Sequence, residues 1–205
     1  RDPIADRGIS IVILFHNEAD CMETVISGVT GVFGRMQRGH EVIIVNDGLT
    51  DAKREVAEHL AISNQRIHVI QHDSRLGYGA ALRTGFHAAK YPLVLQLDCN
   101  HHYDASEIER FLAAIDHVDI VCGYRERHAV TFGQRLGSWL YRWLVRWIFG
   151  VHVRDVDCGF RLYRRSALRR IPIQSNGRFS QAEILAKATF MNMLITGGAG
   201  FIGSH

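Results

Sequence analysis

Short, nearly uninterrupted apolar runs recur along the chain and alternate with stretches of helical period. Ile9–Phe15, Glu41–Val45, Ile67–Ile70, Leu93–Leu97, Asp119–Gly123 and Met193–Thr196 read as strands too apolar to leave one face in water. Between them, Glu18–Phe33, a segment from Asp51 to about Leu60, and the alanine-rich Gly79–Lys90 read as helices. Thr50 is placed to cap the second of these, with Asp51 in its first turn. Asp104-Ala105-Ser106-Glu107 opens a fourth helix ending near His117, in the manner of a capping box. Strand and helix in strict alternation predict an α/β fold, with a doubly wound, mainly parallel sheet flanked by helices.

After Tyr124 the pattern changes. Arg125-Glu126-Arg127-His128 reads as a polar loop, and Ser138–Phe149 as an aromatic helix closed by Gly150. Trp139, Trp143 and Trp147 share one face of that helix and Arg142 and Arg146 another. This suits either packing on the sheet or a helix lying at a lipid headgroup boundary. At the far end, Met193–Thr196 runs into Gly197-Gly198-Ala199-Gly200-Phe201-Ile202-Gly203. A strand followed by G-x-x-G-x-x-G is the context of a dinucleotide-binding fingerprint. Neither the helix nor the later acidic residue that complete such a site is present, so this piece alone is expected to bind no dinucleotide.

Composition narrows the class. The chain has 205 residues, 47% hydrophobic and 22% charged, enough for one domain with a substantial core. A formal net charge of +3 does not by itself point to nucleic acid, although Arg125 to Arg170 is arginine-dense and suits an anionic partner. Cys21, Cys99, Cys122 and Cys158 show no C-x-x-C spacing and are expected to be reduced and mostly buried, as in a cytosolic protein. No signal peptide is evident, and no apolar run reaches the roughly 18 to 20 residues that span a bilayer. A start at Arg1 rather than methionine is expected of a fragment.

The candidate chemistry stands at the strand ends. If the strands are parallel, His16-Asn17-Glu18, Asn46-Asp47-Gly48-Leu49-Thr50-Asp51, Leu76-Gly77-Tyr78-Gly79 and Asp98-Cys99-Asn100 all fall on one rim of the sheet, where α/β folds bind ligands. Carboxylates there suit a metal, and glycines suit phosphates. Asp98 can ligate a hard cation and Asn100 can offer a carbonyl oxygen. In an extended segment His102 points the same way, although a polar turn before the next helix reads equally well. Asp47 can accept hydrogen bonds from a base or ribose, or cap the Thr50 helix, and Gly77 and Gly79 can let the backbone approach a phosphate.

In order, these signatures resemble those of the family 2 glycosyltransferases, and within them the dolichyl- or polyprenyl-phosphate sugar transferases. The family's Asn-Glu stands as Asn17-Glu18, and its Asp-Asp-Gly-Ser-x-Asp as Asn46 to Asp51. Its Gly-x-Gly-x-Ala-Leu-Arg-x-Gly is Gly77 to Gly85, its Asp-x-Asp is Asp98-Cys99-Asn100, and its Asp-x-x-x-Gly-Phe-Arg runs from Asp155 to Arg161. The resemblance covers about Ile9 to Ala188 and implies a single GT-A-type domain over residues 1–189, truncated at its C-terminus. Residues 190–205 instead resemble the first strand and glycine turn of an NAD-binding sugar-nucleotide epimerase. By the same resemblance Asn17, Glu18, Asp47 and Gly48 hold the nucleoside. Gly77 and Gly79 approach the diphosphate, and Asp98 and Asn100 sit at the metal, Mg²⁺ or Mn²⁺, with His102 or substrate phosphates compensating for the lost second carboxylate. Asp155 adjoins the substrate, and Arg125 and Arg161 face the phosphates of donor and acceptor.

The implied activity is inverting, metal-assisted transfer of a sugar from GDP-mannose or a UDP-sugar to a polyprenyl or dolichyl phosphate. Asp98, Arg125 and Arg161 would be its catalytic residues, and the protein would be cytoplasmic and peripheral on the cytoplasmic face of a membrane. Departures from the pattern leave an alternative, a sugar-nucleotide binder without turnover: Leu14 and His16 replace a proline and a tyrosine, Asn46 the first Asp of its motif, and Asn100 the second metal carboxylate. A nucleotidyltransferase would want a glycine-rich basic loop after the first strand, which His16-Asn17-Glu18 is not. An NAD-dependent epimerase rests on the last residues alone.

Overall fold

The computed structural model describes residues 7–15, 22–48, 51–98, 107–125, 153, 155–196 and 201–202; for 23, 51–54, 125 and 201–202 it describes the backbone only. Every residue of β1 (Ile9–Phe15) and β2 (His40–Asp47) is buried, as expected of strands covered on both faces. β1 pairs in parallel with β2 on one side and with β4 (Leu93–Asp98) on the other, and β2 pairs in parallel with β3 (Ile67–His72). β1 matches its apolar run, and β2, β3 and β4 extend theirs by one to three residues. His40, Asn46, Asp47, Gln71, His72 and Asp98 all belong to the ladder.

The seven-stranded sheet has the order β3-β2-β1-β4-β7-β5-β8. Here β5 is Ile120–Cys122, β7 is Arg161–Arg164 and β8 is Ile195–Thr196. β7 slots between β4 and β5 and runs antiparallel to both, a strand that the hydrophobic pattern did not reveal. The sequence Arg-Leu-Tyr-Arg has a charged residue at each end, and its first arginine is wholly buried, which a hydropathy reading takes for surface. Ile195–Thr196, read from sequence as the opening of a separate piece, adds to this same sheet beside β5. A two-residue strand, β6 (Tyr124–Arg125), pairs with β9 (Phe201–Ile202).

Alternation along each strand divides the core in two. Ile9, Ile11, Ile13, Val42, Ile44, Leu93, Leu95 and Leu97 face α1 (Met22–Arg35), α2 (Asp51–Ser63) and α4 (Glu107–Ile115). In α4, Ile108, Phe111, Leu112 and Ile115 keep the i, i+3, i+4, i+7 spacing of one buried stripe. Val12, Ile43, Val45 and Val94 face α3 (Tyr78–Ala88), the single turn α5 (Arg165–Leu168) and α6 (Ser180–Phe190). α3 lies so close to the sheet that a methyl group on Gly85 would overlap the Val12 side chain. Each fully buried aliphatic side chain contributes about 1.5–3 kcal/mol, so the two layers hold the rim above them rigid.

Candidate active site

The order of strands fixes where a ligand can enter. From β1 the chain winds outward through β2 and β3, then returns to the other side of β1 as β4, so a crevice opens at the carboxyl ends of these strands. A cavity of about 210 Å³ occupies it. Leu14 and Phe15 from the end of β1, Asp47 from β2 and Asp98 from β4 form its floor. Arg75, Gly77, Tyr78 and Ala81 come from the β3–α3 connection and the start of α3, and Gly177 and Arg178 from the segment before α6. Two carboxylates thus meet two exposed arginines in one concavity.

Asp47 lines the cavity and is also bound into its wall. Oδ1 accepts from the Leu76 N–H at 2.8 Å, Oδ2 from the Gly77 N–H at 2.7 Å, and His72 Nδ1 lies 2.9 Å from Oδ1. An ionised carboxylate only accepts, so Nδ1 carries the proton; Nε2 sits 2.9 Å from Thr84 Oγ1. Burial disfavours the charged form of Asp47, but the His72 and backbone hydrogen bonds outweigh it and hold the carboxyl below its ordinary value. The cap expected on the Thr50 helix is therefore directed instead to the next loop, where Asp47 sets the position of Arg75. Gly48, at φ 76°, lets that loop pass: a side chain would press on the Arg75 backbone at 3.0 Å.

Asp98 ends β4 with Oδ1 2.7 Å from the Tyr78 hydroxyl, which donates to it. Its other oxygen lies against Gly159, where a methyl group would overlap the carboxylate. Burial first, and then the Asp98 charge, push the Tyr78 phenol well above its ordinary pKa, so it stays a proton donor.

Arg161, Gly77 and Gly79, expected at phosphates, are each in close contact with the protein's own backbone. Arg161 is fully buried and away from the cavity; its guanidinium donates to the carbonyls of Gln181, at 3.1 Å, and Val156. Antiparallel pairing sets Arg161 opposite Gln96 and Cys122 inside the sheet layer, which is why it cannot reach a ligand at the rim. The Gly79 N–H bonds to the Asn176 carbonyl at 2.7 Å, and the space a side chain would take at Gly77 and Gly79 is filled by the backbone of Asn176 and Ser175. These glycines admit protein backbone, although Gly77 still lines the cavity. Asp155 is buried, and its Oδ1 accepts from the Asp157 N–H at 3.1 Å.

Residues 172–176 form a strap held from both sides. Arg83 donates to the carbonyls of Ile173 and Ser175 and to Asn176 Oδ1. Glu183 accepts from the N–H groups of Gln174 and Ser175, both at 2.9 Å, and from Lys187 Nζ at 2.6 Å. These bonds outweigh burial and pull the Glu183 carboxyl down to about 2, so this residue is a structural anion. The strap delivers Gly177 and Arg178 to the cavity wall. Arg75, Tyr78 and Arg178 were not anticipated as site residues. Tyr78 sits between two motif glycines, a position that could have flagged it; nothing near Arg178 carries such a signal.

Asn17, Glu18, Asn100, His102 and the Trp139–Trp147 helix lie outside the described residues, as does the side chain of Arg125. Among the described residues no cluster of three or more His, Cys, Asp or Glu side chains could hold a metal, and no helix is long and apolar enough to cross a membrane. Cys122 and Cys158 are buried and not in a disulfide.

Residues 10–172 match the family described as Glycosyl transferase family 2, which is most of the chain. The chain belongs to glycosyltransferase family 2. An undecaprenyl-phosphate 4-deoxy-4-formamido-L-arabinose transferase of Aeromonas hydrophila is 30% identical over 159 residues, covering 77% of this chain and 49% of that protein. A polyprenol monophosphomannose synthase of Mycolicibacterium smegmatis is 26% identical, over 80% of this chain and 64% of that one. A dodecaprenyl-phosphate galacturonate synthase of Rhizobium johnstonii is 23% identical, over 84% and 52%. The chain thus spans about half to two-thirds of the length of these curated relatives. Among solved structures, glucosyl-3-phosphoglycerate synthase of Mycobacterium tuberculosis, in complex with Mn²⁺, UDP and glucosyl-3-phosphoglycerate, superposes with a TM-score of 0.74 at 19% identity, over 94% of this chain and 69% of that chain. That likeness establishes the GT-A-type fold of this family 2 domain.

Proposed function

We propose that this family 2 domain transfers a sugar from a nucleotide-diphosphate sugar to a polyprenyl phosphate, with inversion at the anomeric carbon. The observation that carries the reading is the meeting of Asp47, Asp98, Arg75 and Arg178 in one cavity at the switch point of the sheet. The relatives named for undecaprenyl, dodecaprenyl and polyprenol phosphate sugar products support the acceptor class.

Each described residue takes a part that its geometry allows. The Asp47 carboxylate has about four acceptor positions, and three are filled by protein donors, which leaves one for a donor group of the base or ribose. Arg75 and Arg178 come from two adjoining segments of the lining and neutralise the diphosphate, the leaving group on which charge develops. Asp98 is an oxygen donor of the kind hard divalent cations take, and Mg²⁺ or Mn²⁺ needs few protein ligands when phosphates complete the shell. Asn100 and His102 would join Asp98 in holding it, and the ion, when bound, supplies positive charge to the diphosphate. Asn17, Glu18, Gly48 and Gly77 belong to the nucleoside and diphosphate side of the same reading, and Arg125 to the acceptor phosphate.

The acceptor settles the question of a base. A phosphate monoester with a second pKa near 6 is already largely dianionic at neutral pH. Its oxygen attacks the anomeric carbon from the face opposite the diphosphate, the carbon–oxygen bond to the diphosphate breaks, and no proton has to be removed. Asp155 and Glu183 agree with this, both being engaged in backbone contacts away from the cavity. Because the acceptor is a lipid, the reaction takes place at a membrane surface.

Incubation with labelled UDP- and GDP-sugars, polyprenyl phosphate in detergent and Mn²⁺ or Mg²⁺ is expected to yield a lipid-linked sugar. No such product with any donor overturns the transfer reading. Asn100 in place of a second carboxylate supports a second reading, a sugar-nucleotide binder without turnover. It predicts nucleotide binding indifferent to divalent metal.

A further inference from the structure

We propose that Tyr78 is a positioning residue for Asp98: a buried, one-way hydrogen-bond chain anchored at Gln96 and Tyr163 aims the Tyr78 hydroxyl at the carboxylate, fixing the oxygen that meets a divalent cation. The inference rests on the donor-site reading of the cavity given above.

The direction of the chain follows from donor and acceptor counts. The Tyr163 hydroxyl donates to Gln96 Oε1 at 2.9 Å, which fixes the orientation of that amide. Gln96 Nε2 is then left to donate, and it does so to the Tyr78 oxygen at 2.9 Å. Gln181 Nε2 donates to the same oxygen from α6. A phenol oxygen has two acceptor positions and one proton. With both positions filled by amide N–H groups, the proton can only point outward, and Asp98 Oδ1 receives it at 2.7 Å. Gln96 and Tyr163 are fully buried and line no part of the cavity, whereas Tyr78 and Asp98 both do. The chain therefore runs from the interior to the site.

Register and shape close off the alternatives. Gln96 on β4 stands opposite Arg161 on β7, the strand that carries Tyr163, so two strands and two helices supply the chain. On its other side Asp98 touches Gly159, where no side chain fits. One oxygen thus receives the phenol proton and the other borders a glycine, and both contacts set the orientation of the carboxylate. Outer partners of this kind orient ligating carboxylates, and their loss typically lowers metal affinity about 10- to 100-fold.

The test is calorimetric titration of the chain with UDP and with GDP, each with and without Mn²⁺, alongside thermal unfolding. The quantity read is the factor by which Mn²⁺ tightens nucleotide binding. Tyr78→Phe is expected to reduce that factor about 10-fold or more. Gln96→Met, away from the cavity, is expected to act in the same direction, and it decides the matter if Tyr78→Phe does not fold. A merely structural role would lower the melting temperature and weaken both affinities together. If both variants keep the parent's factor, the assignment of Tyr78 is overturned and the donor-site reading stands. If the parent binds nucleotide without tightening by Mn²⁺, this assignment is overturned and the cavity stands as a metal-indifferent nucleotide site; if it binds neither nucleotide, the donor-site reading and this assignment fail together.

Discussion

Gly159 and Asp98 are 61 positions apart in number yet share one contact that neither tolerates losing. A methyl group at Gly159 would occupy the space of the Asp98 carboxylate, and the β4 backbone behind it is fixed by pairing to β1 and β7. Gly159→Ala should therefore rotate the acid out of place at a stability cost of about 1–3 kcal/mol. Calorimetry with UDP and Mn²⁺ should show the metal enhancement of binding reduced at least about 10-fold. Asp47 makes a different point. Its three hydrogen bonds hold the loop carrying Arg75, so Asp47→Ala leaves the Leu76 and Gly77 N–H groups without their acceptor. Each such donor costs about 1–3 kcal/mol, which urea unfolding would read directly. Sequence reading brought Asp47 and Asp98 to the right rim because both end apolar strands. It did not show that Asp47 faces the protein as much as the ligand, since a carboxylate's partners come from a loop 29 and 30 positions away.

At the scale of elements, the parallel strands were legible and the antiparallel one was not. Ile9–Phe15 and Leu93–Leu97 announce themselves as apolar runs broken only by Ser10 and Gln96, whereas β7 hides a wholly buried arginine in Arg-Leu-Tyr-Arg. The strap of residues 172–176 was equally hidden. Most of its bonds to the clamps Arg83, Glu183 and Lys187 use its backbone groups, which leave no mark in composition; the side chains of Gln174 and Asn176 add the others. Its stability is pH-dependent in a predictable sense. Glu183 has its carboxyl lowered from 4.5 to about 2 in the folded chain, so its contribution is fully present above 4.5 and is lost as pH falls toward 2. With the side chain 7% exposed, that contribution is at most about 3 kcal/mol. Glu183→Gln should destabilise by up to this amount at pH 7, and the gap between parent and variant should narrow between pH 4.5 and 2. Urea unfolding of both proteins at several pH values measures it; a gap independent of pH would show that Glu183 is not the charged clamp.

For the molecule as a whole, the cavity lies where two halves of the fold meet, and each half sends one arginine. Arg75 comes from the winding β1–β2–β3 side and Arg178 from the strap that follows β7. The first half carries the motifs that made the chain readable; the second supplies a residue with no motif, placed by a strap, which is why the cationic side of the site escaped sequence reading. Both arginines are exposed, so an anion bound between them should be screened by salt. If one diphosphate bridges them, Arg75→Ala and Arg178→Ala should each weaken UDP binding about 10-fold, in keeping with about 1.5 kcal/mol or more for a charged hydrogen bond. The double variant should lose less than the sum of the two, because a ligand freed from one wall reorients on the other, giving a coupling of about 0.5 kcal/mol or more. Titrations at low and high salt should bring the parent toward the variants. Additive losses would instead place the two arginines on separate groups, donor diphosphate and acceptor phosphate. Unchanged affinity in both single variants would remove them from the site altogether.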